Sequence, residues 1–207
     1  MGDNMANHVY FTINISTNEE GEKAFDKALV TQTSTYKDWE GKPREMEELS
    51  ELHTLPFMPE AELDEEGFVV NSWDYYCDNV GAKWCNIEDW SSDWLSGYSA
   101  WSPPSQMCEN IIKYLMKFDP NVSLKMTYED EFRNFVGKLW IDAADGEISI
   151  DEEEMDGDEI TDQVAHQLGL EEIPEDFEWG EEFEMEDGNT VYPYEVSDDI
   201  VYAFFEE

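Results

Sequence analysis

HVYFTINIST, residues 8–17, decides the fold class. Val9, Phe11, Ile13 and Ile15 alternate with polar neighbours, the period-2 mark of a strand that buries one face. Thr17 or Asn18 can cap a helix over 19–30, with Glu19, Glu20 and Glu22 at its positive end and Ala24, Phe25, Ala28 and Leu29 on its inner face. The polar stretch 31–50 reads as a loop or a short, poorly packed element, and 67–73 leads into a short helix or turn. Strands are expected over 83–90 and 98–101 around a turn at Ser96-Gly97. Ser102-Pro103-Pro104 is a helix start, with a capping serine ahead of prolines, for a helix over 104–118 on Met107, Ile111, Tyr114, Leu115 and Phe118. Asp119-Pro120-Asn121 stops it. Residues 122–130 alternate as a strand, and 135–141 and 147–150 form a hairpin around Ala144-Asp145-Gly146. The order strand, helix, strands, helix, strands predicts an α+β, ferredoxin-like sandwich: a mainly antiparallel sheet with helices on one face, over residues 1–155.

Residues 156–207 read as an acidic, aromatic-containing α/β extension packed on or following that domain. A helix is expected over 159–168 through Ile160, Val164 and Leu168, and the composition is strand-like at 191–194 and 200–205. The chain has 207 residues, 52 acids against 11 Lys and Arg, and a formal charge of −41. No base follows Lys138, and residues 141–207 hold 26 of the acids. Residues 101–140 hold five acids and five bases, so acid is not spread evenly as salt adaptation requires. A solvating tail has few aromatics, but this one carries Phe177, Trp179, Phe183, Tyr192, Tyr194, Tyr202, Phe204 and Phe205. It therefore reads as a foldable negative surface.

Such a charge argues against nucleic acid or anionic membrane as direct partners and favours basic proteins. The opening residues lack the basic and apolar regions of a signal peptide, and no run of about 18 apolar residues occurs. Cys77, Cys85 and Cys108 show no paired spacing. A cytoplasmic protein with reduced thiols is expected.

Several short motifs occur in order: Leu55-Pro56-Phe57-Met58-Pro59-Glu60, then Asn79-Val80-Gly81-Ala82-Lys83-Trp84, then Tyr98-Ser99-Ala100-Trp101-Ser102-Pro103-Pro104, and late Phe135-Val136-Gly137. Over roughly residues 8–155 this series resembles the YubB-like ferredoxin-fold domain of phage and plasmid proteins. Phe57 interrupts the first motif, and Val80 stands where that family more often has Trp. The resemblance implies a ferredoxin-like fold and a viral or mobile-element origin, hence the cytoplasm of a host cell, and carries over no catalytic residue. Independently of it, Gly81 permits a left-handed entry into a strand, and Trp73, Trp84 and Trp101 are expected in the core.

No enzyme motif stands out. Setting Gly146 as the glycine of a calcium loop leaves Ile141 and Ala143 at ligand positions, so a hairpin fits better. His8, His53 and His166 form no metal-binding pair. No phosphate-cradling loop or nucleophile elbow occurs. We therefore expect no enzyme, no cofactor and no metal. The charge itself remains. Duplex DNA carries one charge per roughly 1.7 Å of axis, so 26 acids match about 44 Å, or about 13 base pairs. The sequence thus suggests a nucleic-acid mimic that binds and inhibits a basic, nucleic-acid-binding host protein of defence, recombination or transcription. The expected binding acids are Asp151, Glu152, Glu153, Glu154, Asp156, Asp158 and Glu159, with Glu171, Glu172, Glu175, Asp176, Glu178, Glu181, Glu182, Glu184 and Glu186. The alternative is an acidic chaperone, or a solubility-adapted structural protein, that holds a basic partner without a mimicked groove.

Overall fold

The computed structural model describes residues 7–174, 177, 179–185 and 188–206. The elements run β1 (His8–Ser16), α1 (Glu19–Ala28), β2 (Thr31–Lys37), β3 (Pro43–Leu49), α2 (Ser72–Asn79), β4 (Cys85–Trp90), β5 (Trp94–Ala100), α3 (Ser105–Leu115), β6 (Ser123–Asp130), β7 (Phe135–Ala144), β8 (Glu147–Asp156), α4 (Gly157–Leu168), β9 (Phe183–Glu184), β10 (Thr190–Val191) and α5 (Pro193–Glu206), with a 3₁₀ turn at Leu52–Thr54. One six-stranded sheet has the order β4-β5-β1-β6-β7-β8, and every neighbouring pair is antiparallel. This is an α+β fold built on an antiparallel sheet.

The alternation of residues 8–17 places β1 at the centre. Val9, Phe11, Ile13 and Ile15 meet Leu124, Met126 and Tyr128 of β6 and Leu139 and Ile141 of β7 in the main core. Phe25, Ala28 and Leu29 of α1, with Met107, Ile111, Ile112 and Leu115 of α3, close that core from above. Each such side chain, fully buried, contributes roughly 1.5–3 kcal/mol before the entropy of ordering it is subtracted. Asn18 caps α1 by accepting from the amides of Glu20 and Gly21, both at 2.9 Å. Asp119 ends the α3 region and also fixes the start of α1: its Oδ2 accepts from the Asn18 amide at 2.6 Å and the Thr17 hydroxyl at 3.0 Å. A hydrogen bond from the Asn121 amide, helped by those from Asn18 and Thr17, holds the Asp119 carboxyl below its ordinary range against a rise from burial.

Within residues 1–155 the helices α1 and α3 cover one face of the sheet, and α4 and α5 of the extension cover the other. Strand β7 alternates between two cores. Leu139 and Ile141 enter the main core, while Val136 joins a second core with Met155 of β8, Ile160, Val164 and Leu168 of α4, and Ile200 and Val201 of α5. Phe177, Phe183, Phe204 and Phe205 pack against that second core. The division expected at residue 155 therefore falls at a β8 residue that contributes to the extension's core.

Four local expectations are corrected. Residues 31–50 form the β2–β3 hairpin, whose turn is tied by Asp38 accepting from the amides of Glu40 and Lys42. Mostly exposed along its length, it shows no apolar alternation to reveal it. Ser96-Gly97 lies inside β5 and the turn sits at 91–93. Gly97 is needed because a Cβ there would come within 2.0 Å of the Asn86 carbonyl. Ser102 does not cap α3; its hydroxyl donates to the Gly81 carbonyl at 2.7 Å. The strand-like stretches 191–194 and 200–205 fall largely within α5: Pro193 fits a first helical turn, and Val196, Ile200, Val201 and Phe204 recur at helical spacing.

Candidate partner-binding surface

Strand β8 forms one edge of the sheet and pairs with β7 from Ala144↔Glu147 to Phe135↔Asp156. The hairpin closes through Asp145 and Gly146, both at positive φ (54° and 85°), as a two-residue primed turn requires. The strand is six residues longer than its apolar pattern suggests, because the acids at 151–154 continue the ladder. An edge strand invites pairing with other chains, and charge prevents it, which is one physical reason for acids here. Asp151 to Glu154 place one carboxylate per residue, about 3.3 Å of axial rise each, but on alternate faces. Glu152 and Glu154 lie on one face and Asp151 and Glu153 on the other, so neighbours on one face lie about 6.6 Å apart. One DNA strand places one phosphate per 3.4 Å.

Several of these acids have structural partners. Glu152 and Glu154 share the phenol of Tyr128, at 2.8 and 3.1 Å. The Tyr128 ring reaches them by lying across Gly137, where a Cβ would meet it at 2.1 Å. Burial and the two carboxylates push the phenol pKa far up. Glu153 pairs with Lys138 at 3.0 Å. Asp156 caps α4 by accepting from the Glu159 amide at 2.8 Å, and Glu159 reaches back to the Asp156 amide at 3.2 Å. Glu182 accepts from the Tyr192 hydroxyl at 3.1 Å. Among the described residues, the side chains of Asp151, Asp158, Glu171, Glu172, Glu181 and Glu184 have no hydrogen-bond or ion-pair partner, and all are exposed. Glu175, Asp176, Glu178 and Glu186 lie outside the described residues. The described acids fall into two groups, 151–159 at the N-terminal end of α4 and 171–184 beyond its C-terminal end, and the 12 residues of α4 span about 18 Å.

Sequence reasoning missed the cations that hold this surface in place. Lys138 is buried to 1 % exposure, donates to the Phe204 carbonyl at 2.6 Å and lies 4.2 Å above the Phe204 ring. Lys125 donates to the Phe205 carbonyl at 3.1 Å. Both meet the negative end of α5, where cations stabilise a helix. Arg133 donates to Ser197 Oγ at 2.8 Å and pairs with Asp198 and Glu129. Burial pulls its guanidinium pKa down, but the hydrogen bonds it donates to Asp198 and Glu129 win and raise it. Three of the five bases of the balanced block, Lys125, Arg133 and Lys138, thus lie against α5, while Lys113 pairs with Glu109 and Lys117 lies over the Tyr114 ring. A signal existed: Lys138 shares a strand face with Val136 and Trp140, and a lone cation in an apolar strand needs a buried partner.

Two expected core tryptophans are exposed. Trp73 and Trp101 flank Lys83, whose ammonium lies 4.8 and 4.9 Å from their ring centres. Trp84 instead joins His8 and Tyr98 in edge-to-face contacts. Cys108 is buried, as its helix face suggests, and burial pushes the thiol pKa values of Cys85 and Cys108 strongly up. Among the described residues no cluster of His, Cys, Asp and Glu is arranged to hold a metal ion, and no helix is long and apolar enough to cross a membrane. No family model, curated protein or solved structure matches the chain.

Proposed function

We propose that this chain is a phage-type nucleic-acid mimic that binds and inhibits a basic DNA- or RNA-binding host protein. One observation carries the reading: the acids at 151–159 sit on a strand paired along its whole length and on a capped helix start, while the nearest bases point inward. A rigid anionic edge costs little ordering entropy on binding, and its axial rise per charge is close to that of one nucleic-acid strand, with the charges divided between the two faces of β8. No catalytic step is assigned to the chain, and a cytoplasmic setting follows from this reading. The finer fold belongs to the same proposal. The series β1-α1-β4-β5-α3-β6, with strand order β4-β5-β1-β6, fits a ferredoxin-like split βαβ arrangement, to which β7 and β8 add strands. The motif series resembling the YubB-like domain is consistent with it, including Gly81 at φ 94°.

The test measures affinity for a panel of purified basic nucleic-acid-binding proteins, with duplex DNA as competitor and salt varied. A mimic gives a complex that DNA displaces, and affinity falls steeply with salt. Changing Asp151, Asp158, Glu171 and Glu172 together to their amides weakens it, while amides at Glu62, Glu65 and Glu66 do not. Binding that ignores DNA, or that weakens equally with either set, instead supports the acidic chaperone. The acids exposed along β3, in a separate sheet from β8, are what favours that second reading.

A further inference from the structure

Strands β3 and β4 face one another across a groove without pairing. Among the described residues, β3 hydrogen-bonds β2 on one side only, and β4 hydrogen-bonds β5 on one side only. Two cavities of about 270 and 420 Å³ lie between them and share Leu49, Asn86 and Ile87 in their walls. Successive residues 46–49 and 86–88 line the larger one. Successive residues of a strand point to opposite faces, so a wall made of both is the strand's backbone edge. The smaller cavity adds an apolar floor from Leu52, Leu55, Tyr76 and Cys85. Glu47, Glu48 and Glu88 stand along the larger one, and no Lys or Arg lines either.

The geometry points to a strand-addition site: an extended segment of a basic protein inserts between β3 and β4 and joins the two sheets. Two unpaired edges offer ladder hydrogen bonds on both sides of the inserted chain. An inserted strand alternates its side chains, one set toward Leu52, Leu55 and Ile87, the other toward Glu48 and Glu88. The segment that fits therefore alternates apolar and basic residues, and the charge of the groove selects it over acidic strands, a second copy of this chain included. The inference rests on the reading that the partner is basic, but uses a surface separate from β8.

The probe is an octapeptide of alternating lysine and valine, titrated by calorimetry against the full chain, with hydrogen exchange read residue by residue. A one-to-one complex that slows exchange at residues 46–49 and 86–88 is expected. N-methylation of alternate probe amides keeps the charge and removes ladder donors, so affinity should fall about tenfold or more. An N-methylated probe that binds equally well overturns strand addition in favour of plain charge attraction. Protection confined to 151–159 overturns the groove while leaving the mimic reading standing. Absence of probe binding overturns the groove, and a dimer that protects 46–49 and 86–88 without probe assigns the edges to a second copy. The mimic reading fails separately, when duplex DNA leaves the protein complex intact.

Discussion

Replacing Lys138 with Met isolates the contact that attaches α5 to the sheet. Methionine keeps most of the apolar stem beside Trp140 and Phe204 and removes the ammonium that reaches the Phe204 carbonyl at 2.6 Å. A hydrogen bond from a charged donor contributes about 1.5–3 kcal/mol, and a cation at a helix C-terminus about 0.3–1 kcal/mol. Relief of the buried ammonium's desolvation offsets part of this. The ion pair adds little, because Glu153 is 57 % exposed and water screens it. The expected loss is about 2 kcal/mol, concentrated in α5. Native-state hydrogen exchange of the α5 amides should then speed up about 30-fold, with β1 and β6 amides much less affected. Glu153→Gln is the control and should change α5 exchange by only about twofold. Acceleration of less than about twofold in Lys138→Met, or equal effects from the two variants, refutes the assignment of Lys138 to the helix end.

Other outcomes follow from single contacts. Gly137→Ala forces the Tyr128 ring off its seat, where a Cβ would stand 2.1 Å from it; unfolding in denaturant should show a loss of about 3 kcal/mol, from overpacking and the lost phenol bond together. Asp119→Ala leaves the Asn18 and Asn121 amides without their acceptor and should cost about 2 kcal/mol near neutral pH. Because the folded Asp119 carboxyl titrates below its unfolded value, its contribution is complete above the unfolded pKa, near 4, and is lost as pH falls through the folded value. The stability difference between wild type and variant, followed by denaturant titration, should therefore shrink on acidification below about pH 4. A chromogenic thiol reagent should label exposed Cys77 quickly in the native protein, Cys85 in the cavity wall more slowly because its thiol pKa is raised, and buried Cys108 at the rate of unfolding.

The sequence revealed what periodicity can reveal. β1, β6 and the helices α1, α3 and α4 each carry one apolar face, and each was readable within a few residues. The β2–β3 hairpin was not, because strands exposed on both faces leave no alternation. α5 was misread because Val, Ile and Phe at helical spacing share their composition with strands, and Pro193 was the only local sign. The acids at 151–159 were visible as a run, but their strand was hidden: pairing with β7, not a hydrophobic pattern, makes it. The bases facing α5 lie 66 and 80 positions away from their acceptor carbonyls, too far for any local rule.

The two-faced character of β7 bears on what happens when the chain is cut. Val136, Lys138 and Trp140 share the face that α5 covers, and Met155 of β8 belongs with them. Proteolytic removal of everything after Asp156 would strip a cover from an intact sheet. The remnant would present a fresh apolar strip beside a newly bared lysine, the kind of surface that causes aggregation. The acidic segment is thus its sheet's own wrapping, and trimming it should give an insoluble fragment before it gives a smaller soluble one.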